Sequence, residues 1–136
     1  MLSPQEIGLV LQTVYDNFTI VDTPEITLEA NPDDLTDAKI TALASSKINR
    51  LSIGIQSFFE EDLKLMNRAH NQTEALDCIT KAKQYFKNIS IDLMYGIPQM
   101  SPQRWQENIE KALSLEVPHI SCYVLTVEPK TALERF

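Results

Sequence analysis

Four short segments of the chain alternate between apolar and polar residues with a period of two. This alternation is typical of a β-strand that buries one face. The segments are EITLEANP (25–32), RLSIGIQSF (50–58), NISIDLMYGIP (88–98) and HISCYVL (119–125). In each segment one face is apolar, and the other carries small or polar side chains.

Helical patterns separate these strands, and this order predicts a parallel sheet because parallel neighbours need a long crossover connection. Parallel strands are usually apolar on both faces. A polar face therefore predicts helices on the outer side only, with a wet, ligand-holding space on the inner side. The expected fold class is α/β: a partial TIM-like barrel arc of about four parallel strands with helices on its outer face.

Helix starts are marked by capping residues. Ser3 with Glu6, and Asn71 with Glu74, fit the capping-box pattern. Ser101 before Pro102 predicts another helix start. Asn31-Pro32-Asp33-Asp34 is expected to end the first strand and cap a helix over roughly 34–46. The first helix carries an apolar stripe, which runs through Ile7, Val10, Leu11, Val14 and Phe18.

The predicted order is one helix, three β-α units and a final strand. A self-contained α/β domain would more naturally begin on a strand. We therefore expect residues 1–136 to be a single fragment of a barrel domain. Both sheet edges would be unpaired, so we also expect the isolated chain to self-associate.

The net charge of −7 argues against binding to nucleic acid or anionic membranes through phosphate neutralisation. The chain has no run of 18 apolar residues, so no transmembrane helix is expected. The first residues, MLSPQEIGLV, lack the features of a signal peptide. Cytoplasmic localisation is the expectation. Cys78 and Cys122 are far apart and predicted to be reduced, buried packing residues, Cys122 on an apolar strand face. The presence of only two cysteines and two histidines argues against a structural zinc site of the usual kind.

In βα barrels, ligand-binding residues lie at the carboxyl ends of the strands and in the following loops. Here those positions hold Glu29, Gln56, Asp92 and Thr126, and the loop after the second strand adds Arg68. Asp92 lies between Ile91 and Leu93, and a buried acid needs a partner. A guanidinium near an acidic site suits a ligand carboxylate.

Other readings of these positions stay open. Glu29 could instead cap the next helix, and Arg68 could be a surface cation. His70 is predicted to be exposed, and His119 to be a strand-start contact rather than a catalyst. No glycine motif for binding nucleotide phosphate is present, nor is a Ser/His/Asp arrangement.

Five segments carry a family resemblance: ITLEANPDDL, NRLSIGIQSF, LMNRAHN, IDLMYGIP and HISCYVLTVEPKT. Their order resembles the radical S-adenosylmethionine (SAM) family of oxygen-independent coproporphyrinogen III oxidase and its relatives, over essentially the whole chain. Within this family, two features look more like the haem-chaperone branch: the NP pair of the first segment, in place of DP, and the segment HISCYVLTVEPKT.

The resemblance implies a fragment of a (β/α)6 barrel that holds SAM and a [4Fe–4S] cluster. The family's cluster ligands come from a CxxxCxxC motif, which this chain lacks, and Cys78 and Cys122 cannot replace it. A GGTP-type strand end is also absent. The resemblance therefore implies that the cluster-binding strand and loop lie upstream of Met1.

The resemblance also assigns roles in binding SAM. Glu29 matches a glutamate that binds the methionine moiety, and Arg68 would pair with a carboxylate. Asp92 would accept from an ammonium or a ribose hydroxyl. Gln56 matches a position lining SAM, and Thr126 aligns near a backbone contact. Some of these positions bind a second SAM in the oxidase.

Three functions follow as hypotheses. In the first, the chain is part of a coproporphyrinogen III oxidase-like radical SAM enzyme of porphyrin biosynthesis. In the second, it belongs to a haem chaperone on the same scaffold, with haem as the ligand. The third is a small non-catalytic module that binds a polar metabolite. The 136-residue chain alone is expected to be inactive, without iron incorporation or reductive cleavage of SAM.

Overall fold

The structure is a computed structural model that describes residues 2–130. It contains the predicted helix followed by alternating strands and helices. The elements are α1 (Pro4–Asn17), β1 (Thr27–Ala30), a 3-10 helix (Pro32–Asp34), α2 (Asp37–Ala44), β2 (Arg50–Gln56), α3 (Glu60–Leu65), α4 (Gln72–Tyr85), β3 (Asn88–Tyr95), α5 (Pro102–Ser114) and β4 (His119–Val124).

The strands form one parallel sheet in the order β1-β2-β3-β4, so each crossover leads to the adjacent strand. This sheet, with its intervening helices, confirms the predicted barrel arc. The register is regular except in β2, where Ile53 pairs with Ile91 but Gln56 pairs with Leu93. β2 therefore contains one extra residue before its carboxyl end, which is a β-bulge.

The core lies on the outer side of the two central strands. Leu51, Ile53 and Ile55 of β2 are fully buried, as are Ile91 and Leu93 of β3. Helices α2, α4 and α5 contribute Ile40, Leu43, Ile79 and Ala112 to the same cluster. Burial of such side chains stabilises a fold by about 1.5–3 kcal/mol each.

Local capping signals were predicted correctly. Ser3 and Glu6 form the capping box of α1, and Asn71 and Glu74 form that of α4. Ser101 accepts a hydrogen bond from the Arg104 amide at the start of α5. Each such cap stabilises its helix by about 1 kcal/mol.

Two expectations for the fold were wrong. Thr36, not the Asn31–Asp34 segment, caps α2, because Pro32–Asp34 forms a separate 3-10 turn first. Cys122 is exposed rather than buried: it lies on the edge strand β4, of which only Ile120 packs against the core. Along the apolar stripe of α1, Ile7 is buried, while Val10, Val14 and Phe18 are exposed.

Candidate functional site

A cavity of about 360 Å³ lies on the polar face of the sheet, at its carboxyl edge. Three adjacent strands and the loop after β1 form its wall. It is lined by Glu29, Ala30, Asn31, Asp34, Ser52, Gly54, Gln56 and Asp92. The alternation of β1, β2 and β3 brings these side chains together, because residues two apart on a strand share a face.

The structure brings three of the five predicted site residues into this cavity: Glu29, Gln56 and Asp92. Arg68 reaches the rim, since its Nη1 donates to Asn31 Oδ1 over 3.2 Å. Thr126 is exposed after the end of β4 and does not line the cavity. The cap alternative for Glu29 is wrong, because Asn31 and Thr36 occupy the cap positions of the next two helical segments.

Gly54 provides the space that the Gln56 side chain occupies. A Cβ built on Gly54 would lie 2.8 Å from Gln56 Nε2 and 3.3 Å from Asn31 Oδ1. Two polar groups, one from the end of β2 and one from the loop after β1, therefore converge above a residue that has no side chain. This close approach explains why glycine suits the position.

Gln56 has an unusual backbone conformation, with φ of 70°. The Ser57 amide donates to the Ile55 carbonyl over 2.9 Å, so the hydrogen bond spans residues i and i+2 around Gln56. A positive φ at the centre of such a bond is the geometry of a classic γ-turn, which is rare and strained. Strain of about 1–3 kcal/mol persists only where the surroundings enforce it, and it clusters at functional sites.

Asp92 is half-buried on β3 and accepts from Ser52 Oγ over 3.3 Å. Burial raises the pKa of its carboxyl, and the charge of Glu29 raises it further, while bonds from Ser52 and Ser121 and the charge of Arg50 lower it. The hydrogen bonds and positive charge around the Asp92 carboxylate thus do not fully offset the cost of burying it. A cationic or hydroxyl-bearing ligand would supply a further favourable interaction.

The balance of charge at the cavity favours a cation. Three carboxylates line it, those of Glu29, Asp34 and Asp92, although Lys39 Nζ lies 3.9 Å from Asp34 Oδ1. Arg68 contributes a guanidinium at the rim, beside Asn31. A zwitterionic ligand with an ammonium and a carboxylate would find partners for both groups here.

A larger cavity of about 540 Å³ lies elsewhere, between the start of α2 and α4. Its Lys81 is already in an ion pair with Asp37, with 2.8 Å between Nζ and Oδ1. None of the described strand residues lines this cavity, whereas parallel α/β folds bind ligands at the carboxyl ends of the strands. The smaller cavity is therefore the better candidate.

A buried polar network behind the β2 turn was missed by the sequence analysis. Ser57 Oγ donates to Asp62 Oδ2 over 2.6 Å, and Asp62 Oδ1 accepts from Arg104 Nη1 over 3.0 Å. Asn108 Oδ1 accepts from the Phe58 amide over 2.7 Å. Asn108 lies on the α5 face of Trp105, Ile109 and Ala112, and a polar residue on an apolar face is a signal of a buried bond.

His70 was predicted to be exposed, and this is wrong: only 3% of it is accessible. It directly precedes the N-cap Asn71 of α4, a position at which side chains commonly pack against the helix. That position was the signal available in the sequence. Its ring lies beneath the turn that carries Gln56, with Nε2 3.1 Å from the Ile55 carbonyl oxygen.

Metal-binding groups are scarce in the part of the chain that the structure describes. Over residues 2–130, no cluster of three or more His, Cys, Asp or Glu side chains could hold a metal ion. Cys78 is buried and Cys122 exposed, on different elements. In the same range, no helix has the length and apolar character needed to cross a bilayer.

Comparison with known proteins gives one family match, over residues 5–112, to the model described as "Radical SAM superfamily". The heme chaperone HemW of Lactococcus lactis is 36% identical over 132 residues, which is 96% of this chain and 35% of that protein. HemW of Bacillus subtilis is 41% identical over 111 residues, covering 81% of this chain and 29% of that protein. The chain thus spans about a third of the length of these relatives.

Among solved structures, the coproporphyrinogen III oxidase HemN of Escherichia coli, described as a radical SAM enzyme, is similar with a TM-score of 0.87. It is 25% identical, and the match covers 98% of this chain and 31% of that one. The radical SAM methyltransferase TsrM of Kitasatospora setae matches with a TM-score of 0.74 at 12% identity, over 96% of this chain and 26% of that one, which indicates the fold alone.

Proposed function

The chain belongs to the radical SAM superfamily, and on that premise we propose that the cavity at the carboxyl edge of its sheet binds SAM. The observation that carries the proposal is the convergence of Glu29, Gln56 and Asp92 in one cavity. Acidic side chains beside a guanidinium suit the methionine moiety of SAM, which has an ammonium, a sulfonium and a carboxylate.

Each side chain has a distinct part in this proposal. Glu29, exposed at the end of β1, accepts from the ammonium group. Asp92 accepts from an ammonium or a ribose hydroxyl, and Gln56 offers an amide that both donates and accepts. Arg68 pairs with the ligand carboxylate. Thr126 lies outside the cavity, and only its backbone is proposed to contact the ligand, beyond the end of β4.

The residues present do not fit an iron–sulfur cluster. A [4Fe–4S] cluster needs three or four thiolates in one place, and this sequence has two cysteines on separate elements. We therefore propose that residues 1–136 form one fragment of a larger barrel domain, and that cluster ligands come from another part of it. The match to about a third of the relatives' length supports this.

For the whole protein, we propose a role in haem or porphyrin metabolism as a radical SAM protein. The support is the similarity to proteins named heme chaperone and coproporphyrinogen III oxidase. Higher identity to the chaperones, 36–41% against 25%, favours haem binding and transfer over decarboxylation of a porphyrinogen.

Titration calorimetry with SAM tests the binding site on this chain. We expect Glu29→Gln and Asp92→Asn each to weaken binding about tenfold, because each removes a charge-assisted hydrogen bond. Glu110→Gln is the matched control, since Glu110 is exposed on α5 and contacts Gln106. Equal SAM affinity in all four proteins would contradict the site.

The role of the whole protein needs a second experiment. After anaerobic cluster reconstitution, formation of 5′-deoxyadenosine and of protoporphyrinogen IX from coproporphyrinogen III would establish the oxidase. Tight haem binding without decarboxylation would establish the chaperone. Absence of both would contradict a role in haem metabolism.

A further inference from the structure

His70 lies between the two loops that carry site residues. Nε2 is 3.1 Å from the carbonyl oxygen of Ile55 at the end of β2, and Nδ1 is 3.8 Å from Asp33 Oδ1 after β1. A carbonyl oxygen can only accept a hydrogen bond. The short contact therefore requires a proton on Nε2.

The other ring nitrogen makes no competing hydrogen bond. Nδ1 is buried and has no hydrogen-bond partner among the described residues. The Asp33 oxygen at 3.8 Å is too far away to accept a hydrogen bond. The contact with Ile55 alone therefore fixes the tautomer: the neutral ring carries its proton on Nε2.

The carbonyl that accepts from His70 also closes the strained turn. Ile55 O accepts from the Ser57 amide over 2.9 Å and from His70 Nε2 over 3.1 Å. The peptide that carries this oxygen joins Ile55 to Gln56, whose φ is 70°. Fixing the plane of that peptide from below therefore restricts the direction in which the Gln56 side chain leaves the strand.

We propose that His70, as its Nε2–H tautomer, is a positioning residue that holds the γ-turn at Gln56 and so aims the Gln56 amide at the SAM site. This role rests on the proposed binding of SAM. His70 itself does not line the cavity; it acts through Ile55 and Gln56.

Two substitutions at His70 distinguish a role in positioning Gln56 from a role in packing alone. In His70→Gln the side-chain amide can occupy the place of Nε2 and keep the donor to Ile55. In His70→Asn the amide occupies the place of Nδ1, so the bond to Ile55 is lost while a polar side chain remains. We expect His70→Gln to bind SAM as the wild type does, and His70→Asn to bind about tenfold more weakly.

The double variant His70→Asn/Gln56→Ala provides the decisive readout. If His70 acts through Gln56, the loss caused by His70→Asn disappears once the amide is removed. The same loss in both backgrounds would overturn the positioning role. If the wild type binds SAM and His70→Asn binds equally well, the role alone fails; if the wild type does not bind SAM, the proposed function fails and this role with it.

Nitrogen NMR of the imidazole ring tests the tautomer without any variant or ligand. We expect the neutral His70 ring to carry its proton on Nε2. A proton on Nδ1 with none on Nε2 would overturn the inference, even if the variants fail to fold.

Discussion

The amide nitrogen of Gln56 lies where a side chain on Gly54 would begin: a Cβ at Gly54 would be 2.8 Å from Gln56 Nε2. The two residues are adjacent on the inner face of β2, and the smaller one makes room for the larger. The Gln56 amide can therefore lie close to the strand, in the cavity that the carboxylates also line. This relationship leads to the first prediction.

Gly54→Ala is expected to weaken SAM binding with little effect on stability. The added methyl group displaces the flexible end of Gln56, so the free energy of unfolding should change by less than about 1 kcal/mol. Gly8→Ala is the control, because no atom lies within 4 Å of its new Cβ. That helical substitution should stabilise the protein by up to about 1 kcal/mol and leave SAM affinity unchanged. Calorimetry and urea unfolding measure both quantities, and unaltered SAM affinity in Gly54→Ala would contradict the prediction.

Asp92→Asn is expected to change how stability depends on pH. Because the pKa of Asp92 is raised in the folded state, the native protein binds more protons than the unfolded chain between the usual value of about 3.9 and the raised value. Stability from this group is therefore lost as pH rises through that window. The gain of Asp92→Asn over the wild type should grow as the pH rises from about 4 through the raised pKa, and should stay constant above it.

Urea unfolding across that range checks this prediction, with Asp16→Asn as control. Asp16 is exposed on α1 and accepts from Gln12, so its substitution should not reproduce the trend. A difference between Asp92→Asn and the wild type that stays constant or shrinks with pH over that range would contradict the argument.

Asn108→Ala is expected to destabilise the protein by about 1–3 kcal/mol, because it leaves the buried Phe58 amide without its acceptor. Asn17→Ala is the comparison, since Asn17 is exposed at the end of α1. It should change stability by no more than about 0.5 kcal/mol. Similar unfolding midpoints for the two variants would show that the network contributes little.

The open edges of the sheet predict self-association, which analytical ultracentrifugation measures. The expected result is a sedimentation coefficient that rises with protein concentration. Val124→Lys puts a charge on the exposed edge strand β4 and should reduce association. Leu113→Lys, on the exposed surface of α5, makes the same charge change and should not. A wild-type monomer at all concentrations would contradict the prediction.

The two cysteines are expected to react differently with a thiol reagent. Cys122 is exposed and partial burial raises its pKa, whereas the fuller burial of Cys78 raises the pKa of that thiol to about 12. Because the thiolate is the reactive form, the native protein should be labelled rapidly at Cys122 only, and at both sites in denaturant. Mass spectrometry of labelled peptides identifies the sites, and equal native rates would place Cys78 outside the core.

The features that the sequence predicted are those governed by nearby residues. Strand alternation located Glu29 and Asp92 on the inner face, and the pairs Ser3–Glu6 and Asn71–Glu74 marked helix starts. These signals depend on residues two to three positions apart, so one segment contains all the information.

The features that it did not predict depend on distant partners. Asn108 meets Phe58 across 50 residues of sequence, and His70 meets Ile55 across 15. His70 was misjudged because its polarity suggests exposure, whereas one hydrogen bond to a carbonyl makes its burial tolerable. The exposure of Cys122 depends on what covers β4, which its own alternation does not encode.

The extra residue in β2 has a consequence for how this site could evolve. In a regular strand, the alternation of the backbone sets the direction of each side chain, and few substitutions can change that direction. At Gln56 the direction of the side chain depends instead on hydrogen bonds from residues outside the strand. Drift at His70 would therefore alter the selectivity of the cavity while every residue that lines it stays the same.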